Sequence, residues 1–162
     1  MADVRIDVFR LIDADSNALY QCLADFEHHF HHLLPPSFSG YRVETGGFGE
    51  GTVIGFSLSA YGRTQHVRLR MSEPILGKVI TGFDQRVLLI ATFRLRREGG
   101  QTQVEIDASW PNKPGIPGLK RRLCAYLVVR RQFNLILDRL ETYVLTLPPQ
   151  ETMGHSLPGR RG

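Results

Sequence analysis

Four histidines lie within the run HHFHH at positions 28–32, the most conspicuous cluster of chemically active side chains in the chain. On an α-helix His28 and His32 would lie one turn apart, which is an imidazole spacing that suits zinc. A metal site normally has a third protein ligand, and nothing in the sequence assigns Asp25 or Glu27 to that role. The pattern therefore favours a polar helix surface beside a cavity mouth, with no metal; zinc binding and a proton-sensitive lid are the alternatives.

A second polar group, Tyr126, Arg130 and Asn134, recurs at spacings of four residues on or beside an apolar helical stripe. If these side chains face a cavity, they are able to fix the carbonyl or carboxylate of a ligand. A buried arginine would then need a partner or a ligand, because an unpaired buried charge is costly. The alternative is that Arg130 and Asn134 lie at the edge of the stripe and reach water, with Tyr126 directed inward.

The motifs of phosphate binding and of nucleophilic catalysis are missing. The glycine-rich run GGFGEG at 46–51 is followed by Thr52-Val53, whereas a P-loop needs Lys-Ser/Thr and a helix, and a dinucleotide fingerprint needs a third glycine at position 52. The run therefore predicts a tight turn near a cavity rim, with gating as an alternative. The chain contains no Gly-x-Ser-x-Gly elbow, and Glu105 and Asp107 alternate with apolar residues, which directs them outward. No general acid or base is well supported.

Composition limits the class of protein. The chain has 162 residues, 42% of them hydrophobic, with a formal net charge of +4, which indicates one globular domain without a membrane-spanning segment. Cys22 and Cys124 are expected to be reduced core thiols of a cytoplasmic protein. The arginines indicate a solvated basic face: no aromatic residues are interleaved with them, which argues against nucleic acid, while peripheral contact with a membrane stays open.

The element that positions these residues is a long helix at 118–147, where apolar residues recur every three or four positions over about eight turns. One strand precedes two short helices, and six half-apolar strands then follow in series, joined by short turns. Such a series requires an antiparallel sheet, and only the long helix is large enough to cover its apolar face. The strands are predicted at 4–13, 41–45, 52–61, 64–73, 78–83, 87–98 and 102–110.

This order of elements, with GGFGEGTV between the second and third strands, resembles the SRPBCC superfamily, which includes START-type lipid-transfer domains, birch-pollen-allergen proteins and polyketide cyclase/dehydrase-like bacterial proteins. The resemblance covers roughly residues 3 to 146. It implies an α+β helix-grip fold in which a curved antiparallel sheet of about seven strands wraps around the C-terminal helix. It also implies an apolar cavity between sheet and helix. Residues 1–147 would form this domain, and 148–162 a surface or disordered tail.

Binding of an apolar small molecule such as a lipid, quinone or polyketide-like compound is the favoured function, with no cofactor expected. The alternatives are a cyclase/dehydratase-type enzyme and a protein- or ribosome-interaction module that uses the basic face. Ligand identity and oligomeric state stay open. The residues expected to line the cavity are Phe56, Leu58, Leu69, Met71, Phe83, Phe93, Trp110, Tyr126, Arg130, Phe133, Asn134 and Leu137.

Overall fold

A seven-stranded antiparallel sheet forms most of the molecule, with the strands in the order β1-β7-β6-β5-β4-β3-β2. The structure, a computed structural model, describes residues 3–60, 62–111 and 119–148, without the side chains of residues 60 and 119–124. The strands are β1 (Val4–Ile12), β2 (Phe38–Thr45), β3 (Val53–Ala60), β4 (Arg63–Ile75), β5 (Val79–Asp84), β6 (Leu89–Glu98) and β7 (Gln101–Trp110). Most of the predicted connection at 111–118 and of the predicted tail lies outside the described residues.

Two helices and one short 3-10 helix accompany the sheet. Helix α1 (Ser16–Ala24) begins after Asp15, whose carboxylate accepts a hydrogen bond from the Asn17 backbone amide at 3.0 Å and so caps the helix. The 3-10 helix spans Phe30–Leu33, and α2 spans Leu119–Thr146. The sequence thus predicted α2 to within one residue at each end. No helix in the described ranges is long and apolar enough to span a bilayer.

The sheet curves around α2, and the face turned toward that helix is called the inner face below. This arrangement is the predicted α+β helix-grip fold, since one core joins inner-face residues of the strands with α1, the 3-10 helix and α2. Alternate residues of β7 show the principle: Val104, Ile106 and Ala108 are buried, while Glu105 and Asp107 point away. Arg10 fastens α2 to the edge of the sheet by pairing with Asp138 and Glu141.

The glycine-rich run is a tight structural turn, as predicted. Its backbone docks on the end of α1, because the Phe26 amide donates to the Gly47 carbonyl and the Gly49 amide donates to the Ala24 carbonyl. Gly49 has a φ of +61°, and a Cβ built there would lie 2.5 Å from a carboxylate oxygen of Glu73. Tyr20 holds that carboxylate with hydrogen bonds of 2.7 and 2.8 Å. Only glycine therefore suits this position.

The expected direction of one side chain is wrong. Phe83 was expected to line the cavity, but it lies on the outer face, 40% exposed, opposite Ile90 and Arg70. The reason is that Ile80, Gly82 and Asp84 take the inner positions of β5, so Phe83 has the opposite parity. Strand β1 pairs with β7 in continuous register, and Phe9 faces outward.

Candidate functional site

The apolar stripe of α2 is packed unevenly along its length. In the C-terminal half, Ile136, Leu137, Leu140 and Val144 are buried, with Leu137 completely so at 0% exposure. In the N-terminal half, Tyr126, Val129 and Phe133 occupy the same stripe at helical spacing, yet each is only half-buried. The C-terminal half of the helix therefore packs against β1 and the 3-10 helix, while the stripe from Tyr126 to Phe133 keeps part of its apolar surface exposed.

The sheet shows the matching feature on its inner face. Leu58, Leu89, Ala91 and Trp110 have inner-face parity but are half-buried rather than buried. Leu58 lies near the end of β3, Leu89 at the start of β6 and Trp110 at the end of β7. Consecutive strands are antiparallel, so these three strand ends lie at the same end of the sheet. Helix α2 follows β7 in the chain, so we expect the N-terminal half of α2 to lie beside this end of the sheet. Half-buried apolar residues thus occur both on the inner face of the sheet and on the stripe of the helix.

The polar side chains of α2 lie at the margin of this surface. The Arg130 guanidinium donates to the Tyr126 hydroxyl at 3.2 Å, and the side-chain amide nitrogen of Asn134 donates to the backbone carbonyl of Arg130 at 3.1 Å. Arg130 is exposed, whereas Tyr126 and Asn134 are half-buried. The hydroxyl of Tyr126 already accepts from Arg130, which leaves its proton free to be donated to an oxygen atom of a ligand.

The predicted lining residues separate into three groups by burial. Five belong to the sealed core, namely Phe56, Leu69, Met71, Phe93 and Leu137. Another five are half-buried, namely Leu58, Trp110, Tyr126, Phe133 and Asn134, while Arg130 and Phe83 are exposed. Leu89, Ala91 and Gln132 were missed. Gln132 could have been noticed because it follows Val129 by three residues, at the edge of the apolar stripe.

The histidine cluster adopts a different arrangement from the expected helical pair. His28 lies in a turn and contacts Asp25 at 3.1 Å, while His29 meets the Tyr143 hydroxyl at 2.7 Å. His32 stacks on Tyr143 with ring centroids 5.1 Å apart. His28 and His32 therefore have separate partners, because the chain forms a turn and a 3-10 helix here instead of a continuous α-helix. Within the described ranges no three His, Cys, Asp or Glu side chains are placed to hold a metal ion.

Two further side chains with reactive potential are occupied elsewhere. His66 is on the outer face, where its ring meets the Ser57 hydroxyl at 2.7 Å, in agreement with its predicted outward parity. Cys22 is a free, buried thiol, and burial raises its pKa to about 11. A thiol with that pKa is protonated at neutral pH, so Cys22 is a core residue rather than a nucleophile.

Asp84 lies at the end of β5 with its carboxylate buried. It accepts hydrogen bonds from the backbone amides of Arg68 and Arg86, both at 2.9 Å, and pairs with the Arg86 guanidinium. Burial alone would raise the pKa of this carboxyl, but these donors outweigh burial and lower the pKa below its ordinary value of 3.8. Through these two hydrogen bonds the Asp84 carboxylate connects β4 to the turn between β5 and β6.

We expect Asp84→Asn to lower the free energy of unfolding by about 2–3 kcal/mol, because an amide nitrogen would meet amide donors in a buried place. Asp107→Asn is the control: Asp107 pairs with Arg94 on the outer face and should cost less than about 1 kcal/mol. Since the folded pKa of Asp84 is lowered, its stabilising effect is present above pH 3.8 and is lost as pH falls through the folded value. Urea titrations from pH 6 downward should show the two proteins converging in acid, and a constant gap would contradict this.

Comparisons with known proteins agree on the fold. No family model and no curated protein matches the sequence. The KanY protein, solved in solution by NMR, is 25% identical, with a TM-score of 0.80 over 90% of this chain and 99% of KanY. The Zhui aromatase/cyclase from Streptomyces sp. R1128 has a TM-score of 0.71 at 14% identity, over 89% of this chain and 94% of Zhui. The chain has the same helix-grip fold as these structures.

Other structures with this fold differ more in sequence. A START superfamily protein from Mycobacterium smegmatis aligns with a TM-score of 0.68 at 15% identity, over 89% of this chain and 99% of its own. Similarity at this level establishes the helix-grip architecture and leaves the function to be argued from the site. The candidate site consists of the half-buried apolar residues on α2 before Ile136 and on the inner face of the sheet.

Proposed function

We propose that this helix-grip protein binds an apolar small molecule, such as a lipid, a quinone or a polyketide-like compound, between its sheet and the N-terminal half of α2. The observation that supports this most directly is the change along one helical stripe, from fully buried Leu137 to half-buried Phe133, Val129 and Tyr126. Apolar surface left open on two facing elements gains free energy when a ligand covers it, at about 25 cal/mol per Å2. One or two polar groups at the margin then orient the ligand.

The fold comparisons support the same class of function. The similar structures include an aromatase/cyclase and a START superfamily protein. A cyclase would need several titratable groups directed at one point, and in the described residues Tyr126 and Arg130 are the pair at the open surface, while His66 lies on the outer face. Binding is therefore favoured over catalysis.

The outer face gives less support to an interaction module. Its arginines are interleaved with carboxylates: Arg94 pairs with Glu105 and Asp107, and Arg68 pairs with Glu44. A surface of mixed charge has a weaker electrostatic field than a uniformly basic one, which reduces attraction to nucleic acid.

Native mass spectrometry after gentle extraction tests the proposal. The expected result is a mass shift from a co-purifying apolar molecule, removed by organic extraction and restored when the extract is added back. As a second measurement, naphthalene should bind the extracted protein and quench or shift its intrinsic fluorescence. If neither a co-purifying molecule nor naphthalene binding is found, the proposed function is wrong.

A further inference from the structure

Gln132 has a buried amide oxygen for which the described part of the chain offers no hydrogen-bond donor. The residue is 7% exposed. Its Oε1 atom is buried and has no hydrogen-bond partner among the residues that the structure describes. The cost of such an oxygen is about 1–3 kcal/mol compared with a satisfied one. An apolar side chain of similar length would avoid that cost, so the glutamine has a purpose other than packing.

The position of Gln132 relates it to the proposed site. It follows half-buried Val128 and Val129 by one turn and precedes buried Ile136 by one turn. Gln132 therefore lies where the open part of the helix surface meets the sealed part. A group of a bound molecule that reaches the closed end of the open surface would come within range of this oxygen.

We propose that the Gln132 amide oxygen is the polar anchor of the site and accepts a hydrogen bond from a hydroxyl or N–H group of the ligand. This inference rests on the proposed function and adds the chemical class: an apolar molecule with a hydrogen-bond donor at its deep end. A site built around an unsatisfied acceptor discriminates strongly against an analogue without the donor, because that analogue leaves the acceptor unpaired.

The test compares three probes of one shape: naphthalene, 2-naphthol, which has a donor, and 2-methoxynaphthalene, which has an oxygen without a donor. We expect Gln132→Met to weaken the binding of 2-naphthol about tenfold, which is the value of one good hydrogen bond, and to change the binding of the other two less than about twofold. Gln65→Met replaces an exposed glutamine and is the matched control, with no expected change for any probe.

Thermal unfolding of the ligand-free proteins separates an anchor from a structural residue. If the amide oxygen serves a ligand, Gln132→Met leaves the melting temperature unchanged or raises it, because a buried polar atom without a partner is removed. A fall of more than about 4 °C, or a failure to fold, would show a structural hydrogen bond and overturn the inference. Equal effects of the variant on 2-naphthol and 2-methoxynaphthalene would also overturn it, while naphthalene binding to the unchanged protein would still support the proposed function.

Discussion

Leu137→Ala is expected to lower the free energy of unfolding by about 3–4 kcal/mol, a large part of the total stability of a domain of this size. Leu137 is completely buried in the core that α2 shares with the sheet. Truncation removes buried apolar surface and leaves a cavity that a close-packed interior fills only in part. Urea unfolding followed by circular dichroism measures the change, provided that the denaturant dependence stays constant.

Truncating two valines of α2 tests whether the two halves of the helix differ in packing, as the proposed site requires. Val144 and Val129 belong to the same stripe of the same helix, but Val144 is buried and Val129 is half-buried. We expect Val144→Ala to cost about 2 kcal/mol and Val129→Ala less than about 1 kcal/mol, because less buried surface is lost. Helix propensity changes equally in both variants and cancels. Equal costs would mean that the two halves of the helix are equally packed and would remove the basis of the proposed site.

The architecture could be predicted from the sequence because its signals are periodic and long. The stripe that includes Phe133 and Leu140 repeats over the 28 residues of α2, so misassigning one or two residues would still leave the helix recognisable in the sequence. The strands of the meander alternate clearly enough that Val67, Leu69 and Met71 were assigned to the inner face, where the structure places them. Short turns then allowed only antiparallel neighbours.

Details that depend on a single residue or on tertiary contacts could not be predicted. Strand β5 carries apolar residues at both parities, Val79 and Phe83 at one and Ile80 at the other, and the structure buries Ile80. Phe83 was therefore assigned to the wrong face. The histidine run forms a turn and a 3-10 helix, in which His28 contacts Asp25 and His29 contacts Tyr143. The second contact joins residues far apart in the sequence, so the local pattern could not predict it.

The uneven packing of α2 was the least predictable feature, although the proposed function depends on it. Tyr126, Val129, Phe133 and Leu140 look equivalent in the sequence, since each occupies the apolar stripe. Their burial differs because the C-terminal half of the helix packs against β1 and the 3-10 helix, with Arg10–Asp138 and His32–Tyr143 among the contacts. Sequence periodicity identifies which side of a helix faces the sheet, but it carries no information on the distance between them.

Filling the open space is expected to have the largest effect on binding. We expect Val129→Trp to weaken the binding of naphthalene at least thirtyfold, a loss of about 2 kcal/mol, because the indole would occupy volume that the ligand needs. The variant should stay folded, since Val129 is half-buried and borders open surface rather than a packed core. Fluorescence titration of the extracted protein measures the change.

Leu145→Trp is the control for this variant, because Leu145 lies on the same helix, is 74% exposed, and is outside the apolar stripe. It should bind naphthalene as the unchanged protein does, which excludes a general effect of an added indole on the helix or on the fluorescence signal. If Val129→Trp binds naphthalene normally, the probe occupies some other place. If Val129→Trp instead unfolds the protein as Leu137→Ala is expected to, Val129 belongs to a packed core. Either result would contradict a ligand site between the sheet and the N-terminal half of α2.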